Sequence, residues 1–551
     1  MSDPVTRDPV TPVLAVTDLR VHLPASRIQV LDGISLDILP GETLCLVGES
    51  GSGKSVTSLA TMGLLPKKAL AIAGGSVRLE GEELVGASDA RLRALRASRM
   101  AMIFQEPMTA LNPVMPVGRQ IEEVLKTHMH LSARERREKV LAMMEQVHLP
   151  NIERVYGSYP HQLSGGQRQR IMIAMALILD PKLLIADEPT TALDVTTQKQ
   201  ILKLIKEMQE RMRTSVLFIT HDMGVVADIA DRVCVMHHGQ MVETGAVADI
   251  LRSPREDYTR RLLSAVPSLT PRPPRPDATR EKVLTVSELA KTYAQRSLFG
   301  PKRETVAAEE VSFTLGRGRT LGIVGESGSG KSTVARCVMR LIDPTSGSIR
   351  LGTQEVSDLS PATLRPFRKR IQMIFQDPYR SLNPRINVGE SIAEGPCNFG
   401  LPKAQALRRA RELMTLVGLP EDAVERFPHQ FSGGQRQRIA IARALAMEPD
   451  VLVADEAVSA LDVSVQAQVL DLLADLQTRL GIAILFITHD LRVAAQICDD
   501  VVVMHKGRIV EHGTAEDVLA RPRADYTRDL LAAAPGRHWD FANFRPLETA
   551  V

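Results

Sequence analysis

The sequence lacks the features that mark secreted, disulfide-linked or membrane-spanning chains. Its few cysteines are scattered and form no C-x-x-C pair, which predicts reduced, structural thiols at Cys45, Cys234, Cys337, Cys397 and Cys498. The opening residues, MSDPVTRDPVTP, contain no apolar stretch, so no secretory signal is expected. No apolar run approaches the roughly 18 residues that a membrane span needs. If the protein acts at a membrane, another chain must provide the span.

A strong excess of one charge is also absent. The 551 residues include 68 basic and 65 acidic side chains, and the net charge of +3 favours neither nucleic acid nor a membrane surface as a partner. Hydrophobic residues make up 44% of the chain and charged residues 24%, which is an ordinary globular composition. At about 100–200 residues per domain, this length predicts several domains.

One glycine-rich motif occurs twice. VGESGSGKSVT and VGESGSGKSTV both match the pattern G-x-x-x-x-G-K-[ST], and each follows a short apolar strand. In such a loop the glycines turn backbone N–H groups toward a phosphate, the lysine reaches the outer phosphates and the serine hydroxyl holds Mg²⁺. The defining positions are Gly48, Gly53, Lys54 and Ser55 in the first copy and Gly325, Gly330, Lys331 and Ser332 in the second. The sequence therefore predicts a duplicated binder of nucleoside triphosphate.

Strands and helices alternate in both halves of the chain, which predicts an α/β fold with mostly parallel sheets. The proline-rich segment VPSLTPRPPRPDATR is typical of an extended linker, and the whole order of motifs repeats after it. The predicted boundaries are a disordered N-terminus at 1–12, a first domain at 13–265, the linker at 266–280, a second domain at 281–535 and a C-terminal tail at 536–551. The tail is expected either to dock on a domain or to stay loose.

An Asp-Glu pair ends an apolar strand in each half. Asp187 and Asp455 stand where a carboxylate near the phosphate-loop serine holds Mg²⁺, usually through water. The next residues, Glu188 and Glu456, stand where an attacking water is polarised. The sequence therefore predicts a metal-holding carboxylate followed directly by a catalytic base.

A histidine and a glutamine follow two further strands. His221 and His489 each come after Phe-Ile-Thr, at the same spacing from the glutamate in both halves. This placement predicts a γ-phosphate sensor that also orients the glutamate. Gln105 and Gln376 each follow Met-Ile-Phe, where a neutral amide can touch Mg²⁺ or the attacking water and report the nucleotide state to the loop that follows.

A third pair of motifs begins a helix with two glycines. Ser164-Gly165-Gly166-Gln167 and Ser432-Gly433-Gly434-Gln435 predict a serine N-cap and a helix end that presents N–H groups and a positive dipole to an anion. Because the phosphate loop of one domain already holds the phosphate, this second set of donors is expected to face the nucleotide of the other domain.

Together and in this order, the motifs resemble those of the ATP-binding-cassette (ABC) ATPases over nearly all of residues 13–535. The resemblance implies two tandem P-loop NTPase domains, each with a mostly parallel sheet core, an antiparallel β subdomain and a helical subdomain. It identifies the glycine-rich loops as Walker A, the double-glycine helix starts as signature motifs, and the Asp-Glu pairs as Walker B with the catalytic base. By the same resemblance, the glutamines are Q-loops, the histidines are switch histidines, and Leu193-Asp194 and Leu461-Asp462 belong to D-loops.

The resemblance implies ATP and Mg²⁺ as cofactors. The catalytic residues are expected to be Glu188, Glu456, His221 and His489. Mg²⁺ is expected at Ser55, Gln105, Asp187, Ser332, Gln376 and Asp455. ATP contacts are expected from Gly48, Glu49, Ser50, Gly51, Ser52, Gly53, Lys54, Ser55, Val56, Gln105, Ser164, Gly165, Gly166, Gln167, Tyr293, Gly325, Glu326, Ser327, Gly328, Ser329, Gly330, Lys331, Ser332, Thr333, Gln376, Ser432, Gly433, Gly434 and Gln435. Leu23 stands at the place that matches Tyr293, so adenine stacking at the first site is expected either to be weaker or to come from another residue.

Further stretches are similar to the peptide-type importer branch of the family. These are IFQEPMTALNP and IFQDPYRSLNP after the glutamines, and DYTRRLLSAVP and DYTRDLLAAAP at the ends of the two halves. The halves look like a fusion of the paired ATPases of dipeptide, oligopeptide or glutathione importers, although Ala457 replaces the usual proline and the C-terminal cysteine cluster of some members is absent. The resemblance implies two transmembrane permease subunits, an extracytoplasmic binding protein and a peripheral location on the cytoplasmic face of the inner membrane.

The expected mechanism is a head-to-tail pair of cassettes within one chain, in which each Walker A loop faces the signature motif of the other cassette and both sites hydrolyse ATP. The loops after Gln105 and Gln376, irregular at first because of their prolines, are expected to dock helices of the permeases, with Leu111 and Leu382 on the docking surface. Two alternatives are a twin-cassette ATPase acting on ribosomes and one acting on DNA, although neither a charged helical linker nor zinc cysteines are visible. Nickel chelates and microcin-like peptides remain alternative substrates.

Overall fold

The computed structural model describes residues 11–191, 193–273, 275, 281–295, 303–459 and 461–547. The chain forms two compact units, one made of residues 1–266 with 535–551 and the other of residues 267–534. Most of the N-terminus expected to be disordered, and part of the predicted linker, lie outside the described residues. Within the described part, no helix is both long and apolar enough to cross a lipid bilayer.

The part of the first unit that precedes residue 267 contains two sheets and a series of mostly short helices. Its strands are β1 (Leu14–His22), β2 (Gln29–Ile38), β3 (Thr43–Val47), β4 (Ala71–Leu79), β5 (Glu82–Glu83), β6 (Met100–Ile103), β7 (Leu183–Asp187), β8 (Ser215–Thr220), β9 (Arg232–His237) and β10 (Gln240–Ala246). Its helices are α1 (Lys54–Thr61), α2 (Asp89–Leu95), α3 (Pro107–Ala110), α4 (Val117–His128), α5 (Ala133–Gln146), α6 (Ile152–Tyr156), α7 (Gly165–Leu177), α8 (Val195–Met212), α9 (Met223–Ile229), α10 (Val247–Arg252) and α11 (Asp257–Ser264), with a 3-10 turn at Pro160–Gln162.

The second unit repeats this plan. Its strands are β11 (Lys282–Gln295), β12 (Arg303–Gly316), β13 (Thr320–Val324), β14 (Ser346–Leu351), β15 (Gln354–Glu355), β16 (Ile371–Ile374), β17 (Val451–Asp455), β18 (Ala483–Thr488), β19 (Asp500–His505) and β20 (Arg508–Thr514). Its helices are α12 (Lys331–Val338), α13 (Pro361–Leu364), α14 (Pro378–Ser381), α15 (Val388–Asn398), α16 (Lys403–Leu416), α17 (Gly433–Leu445), α18 (Val463–Leu480), α19 (Leu491–Ile497), α20 (Ala515–Ala520) and α21 (Asp525–Ala533), with 3-10 turns at Arg365–Lys369, Glu421–Glu425 and Pro428–Gln430.

The larger sheet of each unit brings the chemical motifs to one edge. Its order is β10-β9-β3-β8-β7-β6 in the first unit and β16-β17-β18-β13-β19-β20 in the second. Five strands run parallel, and the sixth, β10 or β20, pairs antiparallel at the edge. The central strands β3, β7 and β8 are buried along their whole length, as in parallel sheets covered on both faces. Because parallel strands end at the same edge, the residues that follow these strands meet there.

The smaller sheet of each unit is antiparallel and shares a core with the larger one. Its order is β2-β1-β4-β5 in the first unit and β12-β11-β14-β15 in the second. Apolar side chains from β1, β2 and β4 pack in one cluster with those of β3, β7 and β8, and the second unit has the matching cluster. The α/β architecture predicted from the sequence is confirmed in both units.

The helices between β6 and α7 and between β16 and α17 form the helical part of each unit. The segment after Gln105 differs from the expectation, because it begins with the short helix α3 rather than an irregular loop. Pro107 occupies the start of this helix, a position where the missing N–H of proline breaks no hydrogen bond. Pro378 begins α14 in the same way in the second unit.

The C-terminal tail packs on the first unit. Its short strands β21 (Trp539–Asp540) and β22 (Arg545–Pro546) flank a 3-10 turn at Phe541–Asn543 that contacts α11. Phe541 is buried, and the N–H of Gly536 donates to the Asp228 carboxylate at 3.1 Å. Of the two placements that the sequence left open, the described residues of the tail adopt the docked one.

The described part of the linker is anchored in the second unit. The Arg272 guanidinium pairs with the Asp499 carboxylate at 2.6 Å, and the Asp499 side chain is only 2% exposed. The N–H of Arg272 also donates to the Ala495 carbonyl at 3.0 Å. Arg272 therefore attaches the described part of the linker to the end of α19.

Candidate nucleotide-binding and hydrolysis sites

The phosphate loop of each unit lies between a buried strand and a helix, as the motif requires. β3 ends at Val47 and α1 begins at Lys54, and β13 and α12 have the same relation. Gly48 has a φ of +149°, and a Cβ atom at this position would lie 2.2 Å from the carbonyl oxygen of Met236. Gly325 repeats both features against Met504, with a φ of +149° and a distance of 2.3 Å. Only glycine lets the loop pass this close to the neighbouring strand.

The loop lysines curl back over their own loops. The Lys54 ammonium donates to the carbonyl oxygens of Gly48 at 2.7 Å and Glu49 at 2.9 Å. Lys331 makes the same two bonds, to Gly325 at 2.7 Å and Glu326 at 2.8 Å. The structure therefore holds a buried positive charge inside each loop, at the place where phosphate charge is expected.

Each loop serine meets the carboxylate at the end of the neighbouring strand. The Ser55 hydroxyl donates to Asp187 at 3.2 Å, and Ser332 donates to Asp455 at 3.1 Å. Burial raises the pKa of Asp187, and the hydrogen bond from Ser55 opposes this rise only in part. Burial raises the pKa of Asp455 in the same way. A hydroxyl and a carboxylate at this distance form the all-oxygen donor set that suits Mg²⁺.

The glutamate after each aspartate adopts a left-handed backbone conformation. The φ angles of Glu188 and Glu456 are 46° and 48°. A non-glycine residue in this region costs on the order of 1–3 kcal/mol, and such residues cluster at functional sites. The N–H of Glu188 donates to the Ile219 carbonyl at 2.9 Å, and that of Glu456 donates to Ile487 at the same distance. The turn at each glutamate therefore stays attached to the neighbouring strand through its backbone.

The predicted glutamine and histidine both meet the glutamate carboxylate. In the first unit, the Gln105 amide donates to Glu188 Oε2 at 2.9 Å, and His221 Nδ1 lies 3.2 Å from Glu188 Oε1. In the second unit, Gln376 donates to Glu456 at 2.7 Å, and His489 Nδ1 lies 3.4 Å from its other oxygen. The structure thus brings Glu, Gln and His together in both units.

This contact with histidine keeps the glutamates ionised. Burial alone would raise the pKa of Glu188, but the hydrogen bond and charge of His221, together with the Thr191 hydroxyl and the Lys54 charge, hold the pKa below its ordinary value. Burial and His489 oppose each other in the same way at Glu456, whose pKa is also lowered. For His489, burial would lower the pKa, but the Glu456 carboxylate raises it above the ordinary value. Each glutamate is therefore ionised near neutral pH, which is the form in which a carboxylate can accept a proton.

The two sites differ at one residue that sequence reasoning missed. The Thr191 hydroxyl donates to the Glu188 carboxylate at 2.9 Å. At the matching position, the Ser459 hydroxyl donates instead to the backbone carbonyl of Glu456 at 3.0 Å. The signal was a hydroxyl residue three places after the glutamate in both halves, but its partner depends on a rotamer that sequence spacing does not determine.

The signature serines cap their helices as predicted. Ser164 Oγ accepts the N–H of Gln167 at 3.3 Å, while the Gln167 side chain accepts the N–H of Ser164 at 3.0 Å. Ser432 and Gln435 make the same reciprocal pair. Ser164, Gly165 and Ser432 are exposed, so both helix starts lie at the surface.

The segments after the glutamines expose apolar side chains, but not the ones expected. Leu111 and Leu382 are only 2% and 3% exposed, so their predicted place on a docking surface is wrong. They are buried because each directly follows a short helix that lies against the signature helix, α7 or α17. The exposed residues are Met108, Val114 and Tyr379, at 55%, 81% and 63%.

The predicted adenine-stacking residue is also exposed. Tyr293 lies near the end of β11 with 43% of its surface exposed, and the Lys291 ammonium lies 5.3 Å from its ring centroid. Leu23 follows β1 and donates its N–H to Ile28 across a turn at 2.9 Å. The second unit therefore exposes an aromatic ring at this position, whereas the matching residue of the first unit is a leucine.

The fold and these sites define an ATP-binding-cassette ATPase with two cassettes. The family model described as "ABC transporter" matches residues 31–191 and 308–459. A second model, "Oligopeptide/dipeptide transporter, C-terminal region", matches residues 242–298. The chain belongs to the ABC transporter family.

Relatives share both cassettes with this chain. It is 49% identical to the glutathione import ATP-binding protein GsiA of Shigella boydii serotype 4, over 95% of this chain and 89% of that protein. It is 48% identical to the GsiA protein of Salmonella typhimurium over the same shares. Among solved structures, one match is CbiO1 from Clostridium perfringens, which is part of the ABC transporter complex CbiONQ. It is 31% identical to this chain, the alignment covers 44% of this chain and 92% of the CbiO1 chain, and the TM-score is 0.39.

Proposed function

We propose that this protein is the ATP-hydrolysing subunit of an importer for peptides of the glutathione, dipeptide or oligopeptide class. The observation that carries the proposal is the pair of Glu–Gln–His clusters, each beside a phosphate loop with its lysine in place. The matches to an oligopeptide transporter region and to glutathione import proteins support the substrate class. Nickel chelates and microcin-like peptides are alternative cargoes of the same design.

Hydrolysis at each site follows from the side chains present. Lys54 and Lys331 neutralise phosphate charge, while Glu188 and Glu456 accept a proton from the attacking water. His221 and His489 hold the glutamate oxygen that faces them and keep the carboxylate charged. Mg²⁺ fits the oxygen donors of Ser55 with Asp187 and of Ser332 with Asp455, where it would neutralise charge on the transferred phosphate. Gln105 and Gln376 complete each cluster.

Each phosphate loop is proposed to be completed by the signature helix of the other cassette. The first site would join Lys54 and Glu188 to Ser432, and the second would join Lys331 and Glu456 to Ser164. Support comes from the capped, exposed helix ends, which offer N–H groups and a positive dipole to an anion. ATP at both sites would hold the cassettes together, and hydrolysis would release them.

The exposed residues Met108, Val114 and Tyr379 are proposed to contact permease subunits. Two of these residues also contact the signature helices, because Arg168 of α7 contacts the Met108 sulfur and the Arg436 guanidinium of α17 lies 4.0 Å from the Tyr379 ring centroid. A displacement of Met108 or Tyr379 by a bound permease would therefore be transmitted directly to α7 or α17. This design implies two permeases, an extracytoplasmic binding protein and a peripheral place at the cytoplasmic face of the inner membrane.

Uptake of labelled glutathione, dipeptides and oligopeptides by cells that lack this gene tests the proposal. We expect uptake of at least one class to be lost, to return with the wild-type chain, and to stay absent with Glu188→Gln combined with Glu456→Gln. Unchanged uptake of all three, with the chain recovered on ribosomes or DNA instead of with membrane subunits, would contradict the proposal.

A second experiment tests the docking surface. Val114→Asp and Tyr379→Asp are expected to abolish uptake while ATP hydrolysis by the isolated chain persists. Leu480→Asp is the matched control, because Leu480 is an exposed apolar residue (47%) at the end of α18. Equal uptake by all three variants would place the docking surface elsewhere.

A further inference from the structure

A tyrosine from the C-terminal part of each cassette reaches the phosphate loop. Tyr258 lies on α11 and its hydroxyl accepts the N–H of Glu49, the second residue of the loop motif, at 3.2 Å. Tyr526 lies on α21 and accepts the N–H of Glu326 at 3.3 Å. The two halves of the chain thus show the same contact independently.

The tyrosine contact completes the attachment of one loop residue. The carbonyl of Glu49 accepts a hydrogen bond from Lys54 at 2.9 Å, and the carbonyl of Glu326 accepts one from Lys331 at 2.8 Å. The N–H of this residue is hydrogen-bonded to the tyrosine on α11 or α21, and its carbonyl is hydrogen-bonded to the lysine of the phosphate loop. Both backbone groups of the residue are therefore fixed.

The tyrosine rings are themselves held in place. The Tyr258 ring stacks on His237 with centroids 4.0 Å apart, and the Tyr526 ring stacks on His505 at the same distance. His237 ends β9 directly after Met236, whose carbonyl lies against the loop glycine Gly48. Thr259 and Leu263 anchor α11 as fully buried side chains. The hydroxyl is therefore presented to the loop from a rigid helix rather than from a mobile segment.

We propose that Tyr258 and Tyr526 are positioning residues that hold the phosphate loops in the shape that binds nucleotide. This inference rests on the proposed ATP-binding function. A loop with several glycines has many conformations to lose on binding, so a contact that fixes it beforehand strengthens binding. Since the tyrosine does not touch the reacting atoms, it acts on nucleotide affinity and not on the chemical step.

The contact also gives the C-terminal region of the first cassette a defined role. Tyr258 lies within residues 242–298, the span matched by the C-terminal region model of oligopeptide and dipeptide transporters. Tyr526 makes the equivalent contact in the second cassette.

Fluorescent ADP binding to the full-length chain tests this inference. With Lys331→Ala disabling the second site, titration reports the first. We expect Tyr258→Phe, which keeps the ring and removes only the hydroxyl, to raise the Kd for ADP about two- to tenfold. Tyr156→Phe is the matched control, since its hydroxyl bonds Glu122 at 2.6 Å, away from the loop, and should leave Kd unchanged. Tyr526→Phe in a Lys54→Ala chain should reproduce the effect at the other site.

Steady-state kinetics distinguish a role in nucleotide binding from a role in folding stability, because only the first changes KM for ATP without lowering the thermal unfolding midpoint. Tyr258→Phe in the otherwise wild-type chain should raise KM for ATP and leave kcat and the thermal unfolding midpoint within error of wild type. A Kd equal to that of the parent, or a shift matched by Tyr156→Phe, would overturn the inference while the proposed function stands. If the Lys331→Ala parent binds no ADP at all, the proposed function fails and the inference fails with it.

Discussion

Replacing Thr191 with alanine tests whether the two catalytic glutamates are supported differently. Thr191 donates to the Glu188 carboxylate at 2.9 Å, whereas Ser459 donates to the backbone of Glu456. A hydrogen bond of this kind is worth about 1 kcal/mol, which corresponds to about a fivefold loss of turnover at the first site. Because the Thr191 bond also helps to hold the pKa of Glu188 down, its loss should raise that pKa and move the acidic limb of the pH–rate profile to higher pH.

The assay is steady-state ATP hydrolysis by the full chain across the acidic range. Ser459→Ala is the matched control, since it removes a hydroxyl at the equivalent position without touching a carboxylate. We expect Thr191→Ala to lose rate and to shift its acidic limb, while Ser459→Ala keeps both within error of wild type. Thermal unfolding of each variant excludes a folding defect. Identical profiles for the two variants would refute the idea that Thr191 supports the base.

Three further predictions concern ionisation and anchoring. The raised pKa of His489 should fall in Glu456→Gln, as followed by NMR titration, and an unchanged pKa would contradict the pairing. The contribution of this ion pair to folding stability is fully present below the unfolded histidine pKa of about 6.5 and is lost as the pH rises through the raised folded value. Truncation after Ala534 should destabilise the first unit by about 1.5–3 kcal/mol through loss of Phe541 burial, measured by denaturant unfolding, whereas truncation after Leu547 should not. Arg272→Ala removes the nearest partner of the buried Asp499 carboxylate but leaves it Arg275 and Arg319, each at 3.9 Å, so it should cost about 1.5–3 kcal/mol in denaturant unfolding. Unchanged stability would contradict the anchoring role of Arg272.

The fold could be predicted because its signals are local and repeated. Apolar strands followed by glycine, Asp-Glu or histidine define parallel strands whose ends share an edge, and the structure brings Gly48, Glu188 and His221 to that edge. The signature serines were also predictable, since an N-cap followed three residues later by glutamine is a local pattern. The family and the α/β architecture follow from these signals together.

The remaining features depend on contacts between distant residues. Leu111 and Leu382 look like surface residues in a proline-rich stretch, but short helices turn them inward. The contact of Tyr258 with Glu49 joins residues far apart in the chain, and neither residue type predicts it alone. The packing of Phe541 in the first unit is likewise a tertiary contact, which the pattern of apolar residues in the sequence does not predict.

The proposed cross-pairing of the cassettes has one direct test, the turnover of double variants built on Lys54→Ala. This substitution disables the first site and leaves the second, which joins Lys331 to the helix of Ser164 if the pairing is correct. Adding Ser432→Arg should then cause no further loss of turnover relative to Lys54→Ala, because Ser432 belongs to the first site, which Lys54→Ala has already disabled. Adding Ser164→Arg should abolish the remaining hydrolysis. The reverse pattern, with Ser432→Arg eliminating turnover and Ser164→Arg tolerated, would contradict the proposed pairing of each loop with the other cassette.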